Sequence, residues 1–228
     1  MKLPGAGSVT VHEDLGALGE ATALRVAALA GAAIAARGVF RIALAGGETP
    51  RHCYERLRHQ PVDWARVQVY FGDERCRPVG DAQRNDRMAY DTLLSHVAIP
   101  PANIHPIPAE LGASEAAMCY AALLERDAPL DMVLLGMGED GHTASLFPGN
   151  PATESTATVV PVFDSPKPPP ERVSLGLGAL NAARYRIFLV GGAGKRDALE
   201  RILRGEPLPA ARVATAEWHL DRAAWPER

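Results

Sequence analysis

The chain has 228 residues, of which 47% are hydrophobic, and this predicts one substantial core in a single domain over residues 1–228. Its formal net charge of −3 offers no basic field for nucleic acid or an anionic membrane, so we expect a small molecule as the ligand. The three cysteines are widely spaced and no zinc-binding motif accompanies them, which favours a reducing, cytoplasmic setting without a metal or other cofactor. A monomer and a small homo-oligomer both remain open.

Apolar periodicity predicts an alternation of helices and strands. Helices are predicted over residues 15–36, 50–58, 85–97, 114–125, 141–146 and 195–203, and strands over residues 40–45, 67–71, 131–135, 173–177, 186–190 and 213–216. This order implies an α/β fold with a mostly parallel sheet flanked by helices on both faces. The alanine-rich residues 21–36 are too short for a bilayer and contain Arg25 and Gly31, so we expect this helix to pack on the sheet.

The first predicted strand ends in Gly46 and Gly47, followed by Thr49 as a candidate N-cap and Pro50 as the first helical residue. A helix N-terminus with unpaired amides is suited to bind an anion such as a phosphate. The alternative is an ordinary glycine turn.

The next strand ends in a charged loop, Gly-Asp-Glu-Arg-Cys-Arg-Pro at residues 72–78. Because parallel strands end at the same edge of a sheet, Asp73 and Arg75 are expected to face the same crevice as the glycine turn. Arginine matches the geometry of phosphate oxygens, although a solvated ion-pair cluster is the common alternative.

The strand at 131–135 runs directly into Gly-Met-Gly-Glu-Asp-Gly-His at residues 136–142. Asp140 and His142 flank a glycine that permits a sharp turn, so their side chains can reach one site. A helix expected to begin near Gly141 would favour the neutral imidazole that a general base requires, whereas an ionised Asp140 acts in the opposite direction. The alternative is that the glycines shape a turn and Asp140 caps a helix.

A later turn, Gly-Gly-Ala-Gly-Lys-Arg at residues 191–196, superficially resembles a nucleotide-binding loop. It lacks the four-residue spacer and the Ser or Thr that would hold magnesium, so ATP binding is excluded. Lys195 and Arg196 in the first turn of a helix indicate a nearby anion, because the helix dipole disfavours cations there.

In this order, the segments at 44–50, 72–78 and 136–149 resemble those of the 6-phosphogluconolactonase family, which shares a superfamily with glucosamine-6-phosphate isomerases. The resemblance covers nearly the whole chain and implies a Rossmann-like fold and hydrolysis of 6-phospho-D-glucono-1,5-lactone. His142 is then the expected general base, with Asp140 to orient it and Asp73 to position water or a sugar hydroxyl. The resemblance places the substrate phosphate on six residues: Gly46, Gly47, Thr49, Arg75, Arg172 and Lys195. Glu48 departs from the family pattern, in which serine is commoner.

Two other functions are weighed against hydrolysis. A glucosamine-6-phosphate deaminase of the same superfamily resembles this chain up to His142 but carries a glutamate in the following segment, where residues 143–148 here read Thr-Ala-Ser-Leu-Phe-Pro. A non-catalytic sugar-phosphate sensor is the second alternative, although the acidic charge balance argues against DNA contact. A serine hydrolase is disfavoured because Ser145 lies outside any Gly-x-Ser-x-Gly motif.

Overall fold

The computed structural model describes residues 3–127 and 129–226. Its strands are β1 (Ser8–His12), β2 (Phe40–Leu44), β3 (Val67–Phe71), β4 (Asp73–Arg75), β5 (Met132–Gly136), β6 (Val159–Val162), β7 (Arg172–Leu175), β8 (Tyr185–Val190) and β9 (Glu217–Asp221). Its α-helices are α1 (Leu15–Arg37), α2 (Glu48–Leu57), α3 (Asn85–Thr92), α4 (Ala113–Asp127), α5 (Leu177–Ala182) and α6 (Arg196–Leu203).

Six parallel strands form the main sheet in the order β1-β9-β8-β5-β2-β3. The predicted parallel sheet flanked by helices is therefore confirmed. The four residues at the start of β5 are all buried, as expected for a strand covered on both faces. A smaller antiparallel sheet, β4-β7-β6, stands beside the main one.

Helix α1 is long and apolar enough to cross a membrane by length and composition. In the structure it instead packs against α2, and eight of its residues are buried. The Asp14 side chain accepts a hydrogen bond from Ala17 N at the helix start, and Gly38 ends the helix with a positive φ of 77°. Helix α1 also contacts β1, β2 and β9, so the expectation that this helix packs on the sheet is confirmed.

The helix predicted over residues 141–146 is wrong, because this segment forms turns. Thr143 Oγ1 donates to Gly136 O, and Gly138 N donates to His142 O, which folds the segment back onto the end of β5. Ala144 adopts a positive φ of 48°, which an α-helix does not tolerate. The proposed effect of a helix dipole on His142 is therefore lost as well.

The strand predicted over residues 213–216 is also wrong: this segment turns at Thr215 (φ 53°), and the strand follows it as β9. The strand predicted at 173–177 forms as β7, but it pairs antiparallel in the second sheet. Strands β1, β4 and β6 and helix α5 were missed; β1 lies at the edge of its sheet and its side chains have no regular buried alternation. Helix α3 is shorter than predicted and is followed by a 3₁₀ turn.

Candidate active site

A cavity of about 310 Å³ lies beyond the carboxyl ends of β2, β3, β5 and β8. The chain passes from β2 to β3 on one side and later places β5 on the other side of β2, so the strand order reverses here. Ligands of open α/β sheets bind at such a reversal. Seven of the sequence-predicted site residues line the cavity: Gly46, Gly47, Asp73, Arg75, His142, Arg172 and Lys195.

Asp140 and His142 form a close pair in the turn after β5. Asp140 Oδ1 lies 2.5 Å from His142 Nδ1 and also accepts the backbone N–H of His142 at 3.2 Å. Gly138 permits this packing, because a Cβ at that position would lie 2.0 Å from the same ring nitrogen. The pair was predicted from the sequence, and the structure brings its two side chains together without a helix.

The Asp140 carboxylate determines which ring nitrogen of His142 is basic. Burial raises the pKa of Asp140, but the hydrogen bond and the charge of His142 outweigh burial and lower that pKa to about 2. An ionised carboxylate only accepts hydrogen bonds, so Nδ1 carries the proton and Nε2 is the basic atom of the neutral ring. Within residues 3–127 and 129–226, Nε2 has no hydrogen-bond partner, while the ring packs on Phe147 with centroids 4.4 Å apart.

The Asp73 carboxylate is held by two side chains that lie far from it in the sequence. Ser145 Oγ donates to Asp73 Oδ2 at 2.6 Å, and Asn85 Nδ2 donates to Asp73 Oδ1 at 3.1 Å. Arg172 Nη1 approaches Ser145 Oγ at 3.5 Å, so the serine links the carboxylate to a cation. Ser145 is fully buried and pairs with Asp73, whereas the basic histidine pairs with Asp140, and this arrangement differs from that of a serine hydrolase.

Successive side chains of β4 face alternately the cavity and the protein interior. Alternation along a strand directs Asp73 and Arg75 toward the cavity and Glu74 away from it. The fully buried Glu74 carboxylate accepts the backbone N–H groups of Arg75, Asn85 and Asp86, which fixes β4 to the start of α3. The alternative of a solvated ion-pair cluster therefore does not describe Glu74, which is buried and bound by backbone amides, while its neighbours Asp73 and Arg75 face the cavity.

The cationic side chains of the cavity fall into two pairs. Arg172 is buried near Arg75, and burial lowers the pKa of Arg172 while Asp73 opposes that shift. Lys195 has Lys167 as its neighbour; burial lowers the pKa of Lys195, and the carboxylate of Glu139 opposes that shift. One pair therefore lies beside Asp73 and the other beside Asp140, whose pKa the Lys167 charge also lowers.

The glycine turn after β2 begins α2 earlier than predicted. Gly47 is the N-cap, with a positive φ of 105°, so the assignment of Thr49 as N-cap is wrong. Thr49 is half-buried and lies outside the cavity lining, and its contact with the phosphate stays a prediction. Glu48 is 70% exposed and forms long ion pairs with Arg51 and His52, so its carboxylate need not repel an anion in the cavity.

Two lining residues with polar side chains, Asn85 and Lys167, were not among the site residues predicted from the sequence. Lys167 lies in the proline-rich segment at 165–170, whose carbonyls at Lys167 and Pro168 accept hydrogen bonds from Arg172. The position of Lys167 within a rigid proline-rich segment could have indicated it as a site residue. No feature of the sequence indicated Asn85, because its role depends on where β4 places the start of α3.

The fold and the site define an α/β protein with a histidine–aspartate pair in a cationic cavity at the carboxyl edge of a parallel sheet. Residues 13–225 match the family model described as glucosamine-6-phosphate isomerases/6-phosphogluconolactonase. The chain belongs to this family.

The relatives of the chain bear the second name in that description, 6-phosphogluconolactonase. The chain is 39% identical to the 6-phosphogluconolactonase of Mycobacterium tuberculosis, over 96% of this chain and 97% of the relative. It is 38% identical to the human 6-phosphogluconolactonase, over 98% of this chain and 95% of the relative.

Solved structures agree with the fold. The crystal structure of 6-phosphogluconolactonase from Thermotoga maritima superposes with a TM-score of 0.88 at 29% identity, covering 94% of this chain and 99% of the other. A monomeric glucosamine-6-phosphate deaminase superposes with a TM-score of 0.82 at 20% identity, covering 95% and 98% respectively, and this likeness concerns the fold alone.

Proposed function

We propose that the chain hydrolyses 6-phospho-D-glucono-1,5-lactone to 6-phosphogluconate, the second step of the oxidative pentose phosphate pathway. The observation that carries this proposal is the His142–Asp140 pair, whose basic Nε2 belongs to a cavity-lining ring. Ester hydrolysis requires a water activated by such a base. The names of the relatives indicate the substrate, and the cavity residues provide the catalytic groups that its hydrolysis requires.

In the proposed reaction His142 takes a proton from water as the water attacks the lactone carbonyl, and Asp140 holds the ring in the productive tautomer. The imidazolium then returns the proton to the ring oxygen that leaves. Asp73 positions the water or a sugar hydroxyl, because its carboxylate is fixed by Ser145 and Asn85. We further propose that the phosphate lies against the N-terminus of α2 and the cationic side chains, which orients the lactone toward His142.

The negative charge that develops on the carbonyl oxygen needs hydrogen-bond donors. Backbone amides of the turn at 138–141 are one candidate, but Gly138 N donates to His142 O and Gly141 N donates to Gly138 O. Arg75 is the other candidate: it lines the cavity, and its Nη2 has no hydrogen-bond partner among the residues that the structure describes. We therefore favour Arg75 as the donor.

The test uses the purified full chain with freshly prepared 6-phosphogluconolactone, and acid release is measured promptly against the spontaneous rate. Ammonia release from glucosamine 6-phosphate is measured in parallel. Acid release well above the spontaneous rate supports the proposal, ammonia release favours the deaminase, and binding of the sugar phosphate without turnover favours the sensor.

The same acid-release assay is repeated in the presence of a metal chelator. Within residues 3–127 and 129–226, no three His, Cys, Asp or Glu side chains come together as a metal-binding group. Activity is therefore expected to be unchanged in EDTA. Loss of activity that a divalent ion restores would contradict this expectation.

A further inference from the structure

Asn85, which the catalytic proposal uses only as a support for Asp73, is fixed at both its backbone and its side chain. Its backbone N–H donates to Glu74 Oε1 at 2.7 Å. Its side-chain Nδ2 donates to Asp73 O at 2.9 Å and to Asp73 Oδ1 at 3.1 Å. Three hydrogen bonds therefore set the position of a side chain that is 3% exposed.

These contacts also set the orientation of the amide. The backbone carbonyl and the carboxylate of Asp73 are acceptors, so the NH₂ group of Asn85 must face them. The carbonyl oxygen Oδ1 must then face the other way. No donor within residues 3–127 and 129–226 reaches it, and Asn85 lines the cavity.

Gly46 provides the space for this oxygen. A Cβ at Gly46 would lie 1.9 Å from Asn85 Oδ1, so any other residue there would displace the amide. From the sequence, Gly46 was expected to contact the substrate phosphate. In the structure, the absence of a side chain at Gly46 also allows Asn85 to pack against the end of β2.

We propose that Asn85 is a specificity-determining residue whose Oδ1 accepts a hydrogen bond from one hydroxyl group of the sugar moiety. This proposal rests on the proposed lactonase function. An acceptor oxygen next to the Asp73 carboxylate suits a hydrogen-bond donor, and the donors that a sugar lactone carries are its ring hydroxyls. A ligand that covers this oxygen without offering a matching hydroxyl leaves the acceptor without water and without a partner, which is costly, so such a ligand is rejected.

The test compares 6-phosphogluconolactone with its 2-deoxy, 3-deoxy and 4-deoxy analogues. For each, kcat/KM is measured above the spontaneous rate in the wild type, in Asn85→Ala and in Asn85→Ser. Asn181→Ala is the matched control, because this asparagine also uses its amide in hydrogen bonds, to Arg212 O and Ala214 N, but lies away from the cavity. Circular dichroism checks that each variant is folded.

The wild type and the control are expected to prefer the parent lactone over one deoxy analogue by about 10- to 100-fold. Both Asn85 variants are expected to reduce that one ratio to near unity and to leave the ratios for the other two analogues unchanged. A merely structural role would lower kcat/KM for all lactones equally, and unchanged ratios in a folded variant would overturn the proposal. A wild type that does not accelerate hydrolysis of any lactone would instead overturn the proposed function.

Discussion

The two carboxylates of the cavity, Asp140 and Asp73, are held in place by different kinds of contact. Asp140 contacts a histidine two residues further along the chain, and both lie in one glycine-rich turn. Asp73 contacts Asn85, 12 residues away, and Ser145, 72 residues away, so its position depends on the packing of β4, α3 and the turn after β5. The Asp140 side of the cavity is a local motif, whereas the Asp73 side is a product of the whole fold.

This difference has a functional consequence. On the Asp140 side, one substitution removes one chemical group and leaves the turn in place. On the Asp73 side, two side chains, Ser145 and Asn85, hold one carboxylate, so substitutions there are expected to combine non-additively. The comparison can be tested by substitutions on each side.

The largest effect is expected on the Asp140 side. His142→Ala should lower kcat by about 10²- to 10⁴-fold, because a general base contributes on that order to the transition state. Binding of 6-phosphogluconate, measured by calorimetry, should change little, since the base acts on the attacking water. Asp140→Asn should give a smaller loss, because it keeps the side-chain shape but removes the charge that fixes the ring tautomer. Turnover of His142→Ala near that of the wild type would remove His142 from the mechanism.

The phosphate is expected to give the next largest effect. Charge-assisted hydrogen bonds contribute about 1.5–3 kcal/mol each, so two such contacts predict at least about a hundredfold higher kcat/KM for the phosphorylated lactone than for glucono-1,5-lactone. Lys195→Ala should reduce this preference by about tenfold or more. Lys167→Ala is the matched comparison, because both lysines lie on the Asp140 side of the cavity.

Three outcomes would contradict the predicted phosphate contacts. If Lys195→Ala discriminates between the two lactones as well as the wild type does, Lys195 does not bind the phosphate. A larger loss in Lys167→Ala than in Lys195→Ala would assign the phosphate to the missed lysine. Equal turnover of both lactones by the wild type would contradict a phosphate-binding role for the whole cationic set.

A smaller effect is expected on the Asp73 side. Ser145→Ala removes the 2.6 Å hydrogen bond to Asp73 and should lower kcat by about tenfold, the equivalent of about 1.4 kcal/mol. In an Asp73→Asn background the same change should have little further effect, because the serine then has no carboxylate to hold.

A control distinguishes this coupling from general damage. Thr153→Ala also removes a buried hydroxyl, one that donates to Phe147 O at 2.7 Å, and Thr153 lies outside the lining of the active-site cavity. It should lower stability without changing kcat. Equal losses for Ser145→Ala in the wild-type and Asp73→Asn backgrounds would show that the serine does not act through Asp73.

The same difference explains what the sequence could predict. Asp140 and His142 could be paired from sequence because their contact is local and follows an apolar strand. Asn85 and the hydrogen bond of Ser145 could not, because they depend on elements whose relative placement no periodicity encodes. The false helix at 141–146 arose for a related reason: Thr143 and Gly138 form hydrogen bonds back to the turn, and these override a short apolar pattern.

The smallest effect on activity is expected at a histidine pair outside the cavity, His12 and His219, which can separate acid unfolding from titration of the cavity. His12 on β1 and His219 on β9 stack with ring centroids 5.2 Å apart, on strands at the end of the sheet opposite β3. Burial, and then the charge of His12, lower the pKa of His219 from 6.5 to about 4. Between these values the unfolded chain binds a proton that the folded chain does not.

The free energy of unfolding should therefore fall as the pH drops from about 6.5 toward 4, by at most about 1.4 kcal/mol per pH unit from this one group. His219→Gln should reduce that slope, measured by urea unfolding at several pH values, while kcat at neutral pH stays unchanged. Some slope should remain, because burial also lowers the pKa values of His12 and His105. The exposed His96 provides the control: His96→Gln should keep the wild-type slope. A His219→Gln slope equal to that of the wild type would show that this pair does not govern acid stability, and acid loss of activity would then have to be traced to the cavity itself.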